Sequence, residues 1–261
     1  MLNLALGVAG LAVEASGVRL VGINSWAGDM GGDRHGSQRA VRDVIVGGAQ
    51  VVGTLLAAPV LRDRYNRWGA TIAEMGSLMP GDDLVPYPRL GYTRAITINA
   101  PVEAVWPWLV QIGQGRGGLY SFDGLENLVR CDIHSLDRIA EEHQQLSVGD
   151  LIRMGPQGFP CFRVHHLSAP TELVLIGADP RPPHPPATAE SPTAVATWQW
   201  VLRPHGGGSR TRLRARQRLT YPDRLSLIWH LVEPVGFVME REMLRGIKRR
   251  AEGNEAGYGS G

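Results

Sequence analysis

Apolar residues recur at intervals of three and four through the last long segment of the chain, from Asp223 to Glu252. This spacing predicts one amphipathic helix of roughly 40 Å, with Asp223 as its N-cap. Pro234, followed closely by Gly236, predicts a kink within it. A helix this long with one apolar side needs a concave surface to cover that side.

Six shorter segments are predicted to be strands, the first and the last of them by clear alternation along the chain. They are Thr93–Asn99, Asp150–Met154, Cys161–Leu167, Glu172–Ile176, Ala194–Leu202 and Thr211–Thr220. A helix is predicted after Pro101, and a second helical region over Phe122–Ile139. This order predicts an α+β fold in which a curved antiparallel sheet wraps around the long C-terminal helix. A gap between sheet and helix would hold an apolar ligand.

The compact domain is therefore expected over residues 92–252. Residues 66–91 form an extended lead-in with a short helix near Thr71–Ser77, and residues 253–261 a disordered tail. The proline-rich stretch 180–192 predicts a surface loop or lid. Residues 1–65 form an apolar N-terminal segment, of which we expect residues 1–60 to be dispensable for folding, and no signal peptide is expected there.

One part of this N-terminal segment, Val44–Leu61, is free of charged residues and has arginines on both sides. It is just long enough to cross a bilayer. The alternative is a buried or surface-docked helix of a soluble protein. Both interpretations predict that Val44–Leu61 is helical.

Composition narrows the class of protein. Hydrophobic residues make up 43% and charged residues 20%, as in an ordinary globular protein. A net charge of +2 does not favour a nucleic-acid partner. Cys131 and Cys161 are the only cysteines, which suits a reducing cytoplasm. No metal-ligand spacing appears, so neither metal nor cofactor is expected. Lys248 is the only lysine among many arginines, which indicates a bacterium with a GC-rich genome.

Several stretches resemble a known family. The segment that begins ITINAP and ends LENL (Ile96–Leu128), the ending MEREMLRGIKRRAE (Met239–Glu252), and RWGAT with PGDDLVP in the lead-in are similar to the SRPBCC or START-like superfamily. They are most similar to its branch of polyketide cyclase/dehydrase and lipid-transport proteins. The resemblance covers about residues 66–252. It implies a helix-grip fold with an internal pocket, and it leaves the activity open.

Polar residues that could act as acids or bases cluster in one stretch. Tyr120, Asp123, Glu126 and His134 are the catalytic candidates, with Asn127 as a neighbouring ligand contact. A carboxyl group facing an apolar cavity would have a raised pKa and could transfer protons. The alternative is that Asp123 caps the helix and Glu126 pairs with Arg130.

Aromatic residues supply the candidate walls of a pocket. The ligand-binding candidates are Trp106, Trp108, Tyr120, Phe122, Trp198, Trp200 and Met239, beside Asn127. Ordinary core packing is the alternative. We expect a cavity bounded by Trp108, Tyr120, Trp200 and Met239, with Glu126 or His134 near its opening.

The last predicted strand is two-faced, with an arginine at every second position from 210 to 218. We expect these arginines on a solvated convex face. Contact with phosphates or anionic lipids is the alternative, and the lack of interleaved aromatic residues disfavours nucleic acid.

Two functions follow from these patterns. The first is binding, or transport, of a small hydrophobic or aromatic molecule or lipid. The second is a polyketide cyclase or dehydratase activity that uses acid–base residues at the pocket mouth. Fold-level similarity alone supports either one. The oligomeric state does not follow from the sequence.

Overall fold

The computed structural model describes residues 34–159, 161–178 and 195–258. The predicted proline-rich loop and the first 33 residues lie outside these ranges. Five α-helices are described: α1 (Arg34–Asn66), α2 (Ile72–Gly76), α3 (Val102–Val110), α4 (Asp123–Leu128) and α5 (Ser226–Tyr258). Thr71 caps α2 with a capping box to Glu74, as its side-chain oxygen allows.

Six strands form one antiparallel sheet. They are β1 (Leu90–Ile98), β2 (Leu151–Arg153), β3 (Cys161–Ser168), β4 (Glu172–Ala178), β5 (Val195–His205) and β6 (Arg210–Thr220). Their order across the sheet is β1-β6-β5-β4-β3-β2. The curved sheet and the long C-terminal helix confirm the predicted α+β helix-grip fold.

Two predicted boundaries were wrong. The second helical region ends at Leu128 instead of Ile139, because Arg130 and Asp132 take positive φ angles that break a helix. At the other end of the domain, the long helix continues to Tyr258 and so includes most of the predicted tail.

The arginines of β6 are the largest departure from the sequence prediction. Arg210 is exposed, but the other four do not lie on a solvated face, because the lead-in covers that side of the sheet and binds them. Arg212 pairs with Glu74 at 2.7 Å, and Arg216 pairs with Asp82 at 2.6 Å. Arg216 and Arg218 also donate to lead-in backbone carbonyls, and Arg214 donates to the hydroxyl of Ser77. These guanidinium groups therefore anchor residues 69–86, which disfavours their use for phosphates or lipids.

Helix α1 contains the predicted helical stretch Val44–Leu61 and packs on both α4 and α5. Gly47 lies directly over the ring of Phe122, and Gly124 of α4 lies against the backbone of Ala40. Within α1, Gln38–Ala58 is apolar and long enough to cross a membrane. Whether residues 1–60 are dispensable for folding stays a prediction.

Candidate functional site

A small cavity lies between the sheet and the first half of α5. Its volume is about 20 Å³, room for roughly one water molecule. Strands β1 and β6 form one wall and α5 forms the other. The lining residues are Leu90, Tyr92, Gln217, Leu219, Trp229, Val232, Glu233 and Gly236. The cavity thus lies in the gap that the helix-grip architecture leaves between sheet and helix. Its lining is mostly apolar, with the polar side chains of Tyr92, Gln217 and Glu233.

Each of these polar side chains has a partner. The hydroxyl of Tyr92 donates to Oε1 of Gln217 at 2.7 Å. The carboxylate of Glu233 accepts from Arg62 at 2.8–3.1 Å and from the amide of Asn66 at 2.5 Å. Both donors to Glu233 belong to α1, so one wall of the cavity is tied directly to that helix.

A buried ion pair between β1 and α5 contacts Tyr92 of the cavity wall. Arg94 of β1 and Glu240 of α5 pair in the interior with both side chains fully buried. Trp198 donates from Nε1 to the same carboxylate at 3.0 Å, and Arg94 donates to the carbonyl of Tyr65. The Arg94 guanidinium lies 3.8 Å from the centre of the Tyr92 ring. This contact orients Tyr92, and burial raises the pKa of its hydroxyl, which keeps it a proton donor.

Two residues of α5 beside the cavity, Pro234 and Gly236, differ from ordinary helix residues. Pro234 lies inside α5 and cannot donate the backbone hydrogen bond of a normal helical residue. Gly236 lines the cavity, and a Cβ added there would meet no atom within 4 Å. One missing hydrogen bond and one missing side chain therefore weaken the packing of this part of α5.

The predicted catalytic cluster is on another part of the fold, and much of it holds a loop in place. Asp123 accepts from the backbone N–H and the hydroxyl of Ser135, both at 2.6 Å. Asn127 exchanges two hydrogen bonds with the backbone of Ile133, at 2.7 and 2.8 Å. These contacts fix the turn that follows α4, so the two side chains already have structural partners.

His134 is largely exposed and lies 3.1 Å from Asp132. The hydroxyl of Tyr120 accepts from Nε2 of Gln111 at 2.8 Å, and burial raises the pKa of Tyr120 to about 12. His134 and Tyr120 thus lie in unlike surroundings, one on the surface and one in the core. The roles proposed for both stay predictions.

Of this cluster, Glu126 is the residue best suited to proton transfer. Its side chain is buried, Oε1 accepts from Ser121 at 2.5 Å, and Oε2 has no partner among the described residues. Desolvation raises the pKa of the carboxyl group to about 7, and repulsion from Asp123 adds to the shift. Such a carboxyl group could act as a general acid or base if substrate reached it. The expected pairing with Arg130 is replaced by the bond from Ser121.

The predicted aromatic walls are packed against one another. Trp108 meets Tyr120 edge-on at 6.0 Å between ring centres, and Trp198 lies 4.8 Å from Trp200. Together with Met239 they belong to the buried core. None of them lines the cavity described above, and a cavity bounded by these residues stays a prediction.

Of the two remaining aromatic candidates, Phe122 belongs to the buried core and Trp106 packs against that core. Phe122 packs against Gly47 of α1, and Trp106 is half-buried against the core. Their role as ligand contacts stays a prediction.

Tyr92, Gln217, Trp229 and Glu233 were missed because they lie far apart in the chain. One signal was available: Glu233 and Glu240 are seven residues apart and therefore share one side of the helix. Two carboxylates beside an apolar stripe indicate buried partners. Within the described residues, no group of three or more His, Cys, Asp or Glu side chains could hold a metal ion.

The fold and the cavity define a helix-grip α+β protein with a gap between sheet and helix. No family model matches the chain, and no curated protein sequence matches it significantly. Among solved structures, a Polyketide_cyc-like protein from Corynebacterium glutamicum is 14% identical, with a TM-score of 0.37 over 66% of this chain and 96% of that one. A protein from Chromobacterium violaceum is 12% identical, with a TM-score of 0.37 over 62% and 96%. Similarities this distant carry no argument about function.

Proposed function

We propose that the protein binds a small hydrophobic or aromatic molecule in the gap between the sheet and the first half of α5. The observation that carries this proposal is the cavity bounded by Leu90, Leu219, Trp229 and Val232, with the Tyr92 hydroxyl group beside them. Apolar walls with a few fixed polar groups are typical of ligand pockets.

The cavity is far smaller than the several hundred Å³ that an organic ligand fills. Binding therefore requires the first half of α5 to move outward from the sheet. We expect the helix to bend at Pro234 and Gly236, because the first lacks a backbone donor and the second lacks a side chain. A ligand that stabilises the open form would supply the free energy for this movement through its own burial.

The test is titration of the purified chain with an apolar fluorescent probe such as 1-anilinonaphthalene-8-sulfonate. We expect micromolar affinity, roughly 8 kcal/mol. Gly236→Leu should abolish binding, because the added side chain occupies the cavity. Gly253→Leu is the matched control: it lies on the same helix, is exposed, and also has no atom within 4 Å of an added Cβ. Native mass spectrometry of the purified chain would then identify any natural ligand that co-purifies.

Equal binding by wild type and Gly236→Leu would contradict this position for the site. A wild-type chain that binds no apolar probe would contradict the binding function itself. Gly236→Ala tests whether a loss of binding in Gly236→Leu comes from a filled cavity or from a misfolded helix. It adds one methyl group and should weaken probe binding without lowering the melting temperature.

A cyclase or dehydratase activity is the second candidate, and Glu126 is the observation that favours it. Its unpaired Oε2 and its pKa of about 7 suit proton transfer near neutral pH. Glu126→Gln should then preserve probe affinity and lower turnover of a polyketide-like thioester by about a hundredfold. An unchanged rate would leave Glu126 without a catalytic role.

A further inference from the structure

Helix α1 presents an exposed apolar stripe, which we define as Val41, Ile45, Val52, Leu56 and Val60. Each of these residues is between 45% and 85% exposed. Their spacings of four and seven residues place them on one side of the helix, along roughly 29 Å of its length. Soluble proteins rarely leave a continuous apolar surface of this length in water. We therefore expect the stripe to bind a partner.

The opposite side of α1 is attached to the domain along the whole helix. Gly47 packs under Phe122, Gln50 accepts from Arg241 at 3.2 Å, and Arg62 pairs with Glu233. Because these contacts hold α1 along its length, the helix cannot turn perpendicular to a partner surface without losing all of them. The stripe must therefore meet its partner lengthwise.

An apolar stripe could bind a second copy of the chain or a lipid bilayer, and the charges around the stripe favour one of these two partners. Exposed arginines border both ends of the stripe: Arg39 and Arg42 at one end, Arg64 and Arg67 at the other. None of the four forms an ion pair with another described residue. Asp63 is the single exposed acid within residues 38–67. Both ends of the stripe are therefore cationic.

A second copy of the chain is a poor partner for such a surface. If two stripes packed together, in parallel or antiparallel, arginines of one copy would face arginines of the other, and like charges at close range are unfavourable. Anionic lipid headgroups would instead attract both ends while the stripe enters the boundary with the acyl chains.

We propose that α1 docks the protein lengthwise on an anionic lipid bilayer, with the apolar stripe immersed in the interface. The helix lies in the plane of the membrane and does not cross it. Glu233 lines the cavity and binds Arg62 and Asn66 of α1, so the docking helix contacts the cavity wall directly. The docking surface is nevertheless separate from the cavity and does not depend on what the cavity binds.

The test uses the full chain and co-sedimentation with phosphatidylcholine vesicles, prepared with and without phosphatidylglycerol. Wild type should sediment with the anionic vesicles. The double variant Leu56→Glu, Val60→Glu should lower the partition coefficient at least tenfold, since two side chains would lose their burial in the interface. Leu78→Glu is the matched control, because Leu78 is 90% exposed but lies outside α1. It should bind as wild type does.

Two further measurements define the mode of binding. Arg42→Gln and Arg64→Gln should each weaken binding to anionic vesicles about fivefold and leave binding to neutral vesicles unchanged. An alkaline carbonate wash should release the bound protein, as it releases interfacial helices. Residues 1–33 are the same in all these chains, so any difference between them belongs to α1.

The proposal fails if wild type stays in solution with both kinds of vesicle, or if Leu78→Glu weakens binding as much as the double variant does. Resistance to the carbonate wash would show a spanning helix instead. Light scattering tests whether the stripe instead binds a second copy of the chain. A wild-type dimer that Leu56→Glu converts to a monomer, without any vesicle binding, would assign the stripe to a second copy of the chain.

Discussion

The two halves of α5 follow the same apolar spacing but pack differently. The first half, Ser226–Val238, borders the cavity, and its buried Glu233 pairs with a partly exposed arginine. The second half, from Met239 to Ala251, is sealed against the core, and its Glu240 pairs with a fully buried arginine. The comparison shows that apolar periodicity predicts which side of a helix is covered, but not how completely.

The largest effect is expected at Glu240. Glu240→Gln removes the charge that balances Arg94, leaving a cation in the interior, which should lower the free energy of unfolding by about 3–5 kcal/mol. Chemical denaturation of the variant measures this loss.

The matched change in the first half is Glu233→Gln. Arg62 keeps 43% of its side chain exposed, so its charge can return to water when the pair is broken. We expect a loss of about 1–2 kcal/mol. Equal losses for the two variants would contradict the difference between the halves.

A second pair of variants tests packing instead of charge. A Cβ at Gly246 would overlap the backbone carbonyl of Tyr120, whereas one at Gly236 meets open space. Gly246→Ala should therefore lower stability by about 2–3 kcal/mol despite the better helix propensity of alanine. Thermal melting measures the change.

Gly236→Ala should have the opposite sign. The methyl group enters the cavity without a clash, and alanine favours the helix by up to about 1 kcal/mol. A destabilising Gly236→Ala would show that the first half of α5 is as tightly packed as the second.

The last effect depends on pH and concerns Glu126. Its carboxyl pKa rises from 4.5 in the unfolded chain to about 7 in the fold. The folded protein therefore binds the extra proton, so the stabilisation is full below about pH 4.5 and is lost as the pH rises through 7. Glu126→Gln should remove this dependence and raise stability at pH 8 by about 1–3 kcal/mol. Denaturation at pH 5 and pH 8 gives the comparison, and parallel pH profiles for variant and wild type would contradict the shift.

Local patterns predicted most of the fold. Local sequence patterns located all six strands to within a few residues, and Thr71 marked the start of a five-residue helix. These features depend on residues that are close in the chain. The helical region after Phe122 failed because Asp123 and Asn127 bind residues beyond Leu128, which holds those residues in a turn.

The site could not be predicted in the same way, because its contacts join distant residues. Arg94 and Glu240 are 146 positions apart. The arginines of β6 alternate as a solvated strand would, and nothing near them in the sequence shows that Glu74 and Asp82 cover them. The predicted cavity is a similar case: Trp108 and Tyr120 could wall a space or fill it, and only the packing decides which.

The arginine anchors of the lead-in have a consequence for synthesis on the ribosome. Arg212 lies 138 positions after Glu74, and Arg216 lies 134 after Asp82. The lead-in therefore emerges long before β6, and it stays without its guanidinium anchors while the intervening strands are made. A nascent chain that stalls before Arg210 carries carboxylates on its lead-in with no guanidinium groups to bind them. Completion of β6 is the event that closes this side of the sheet.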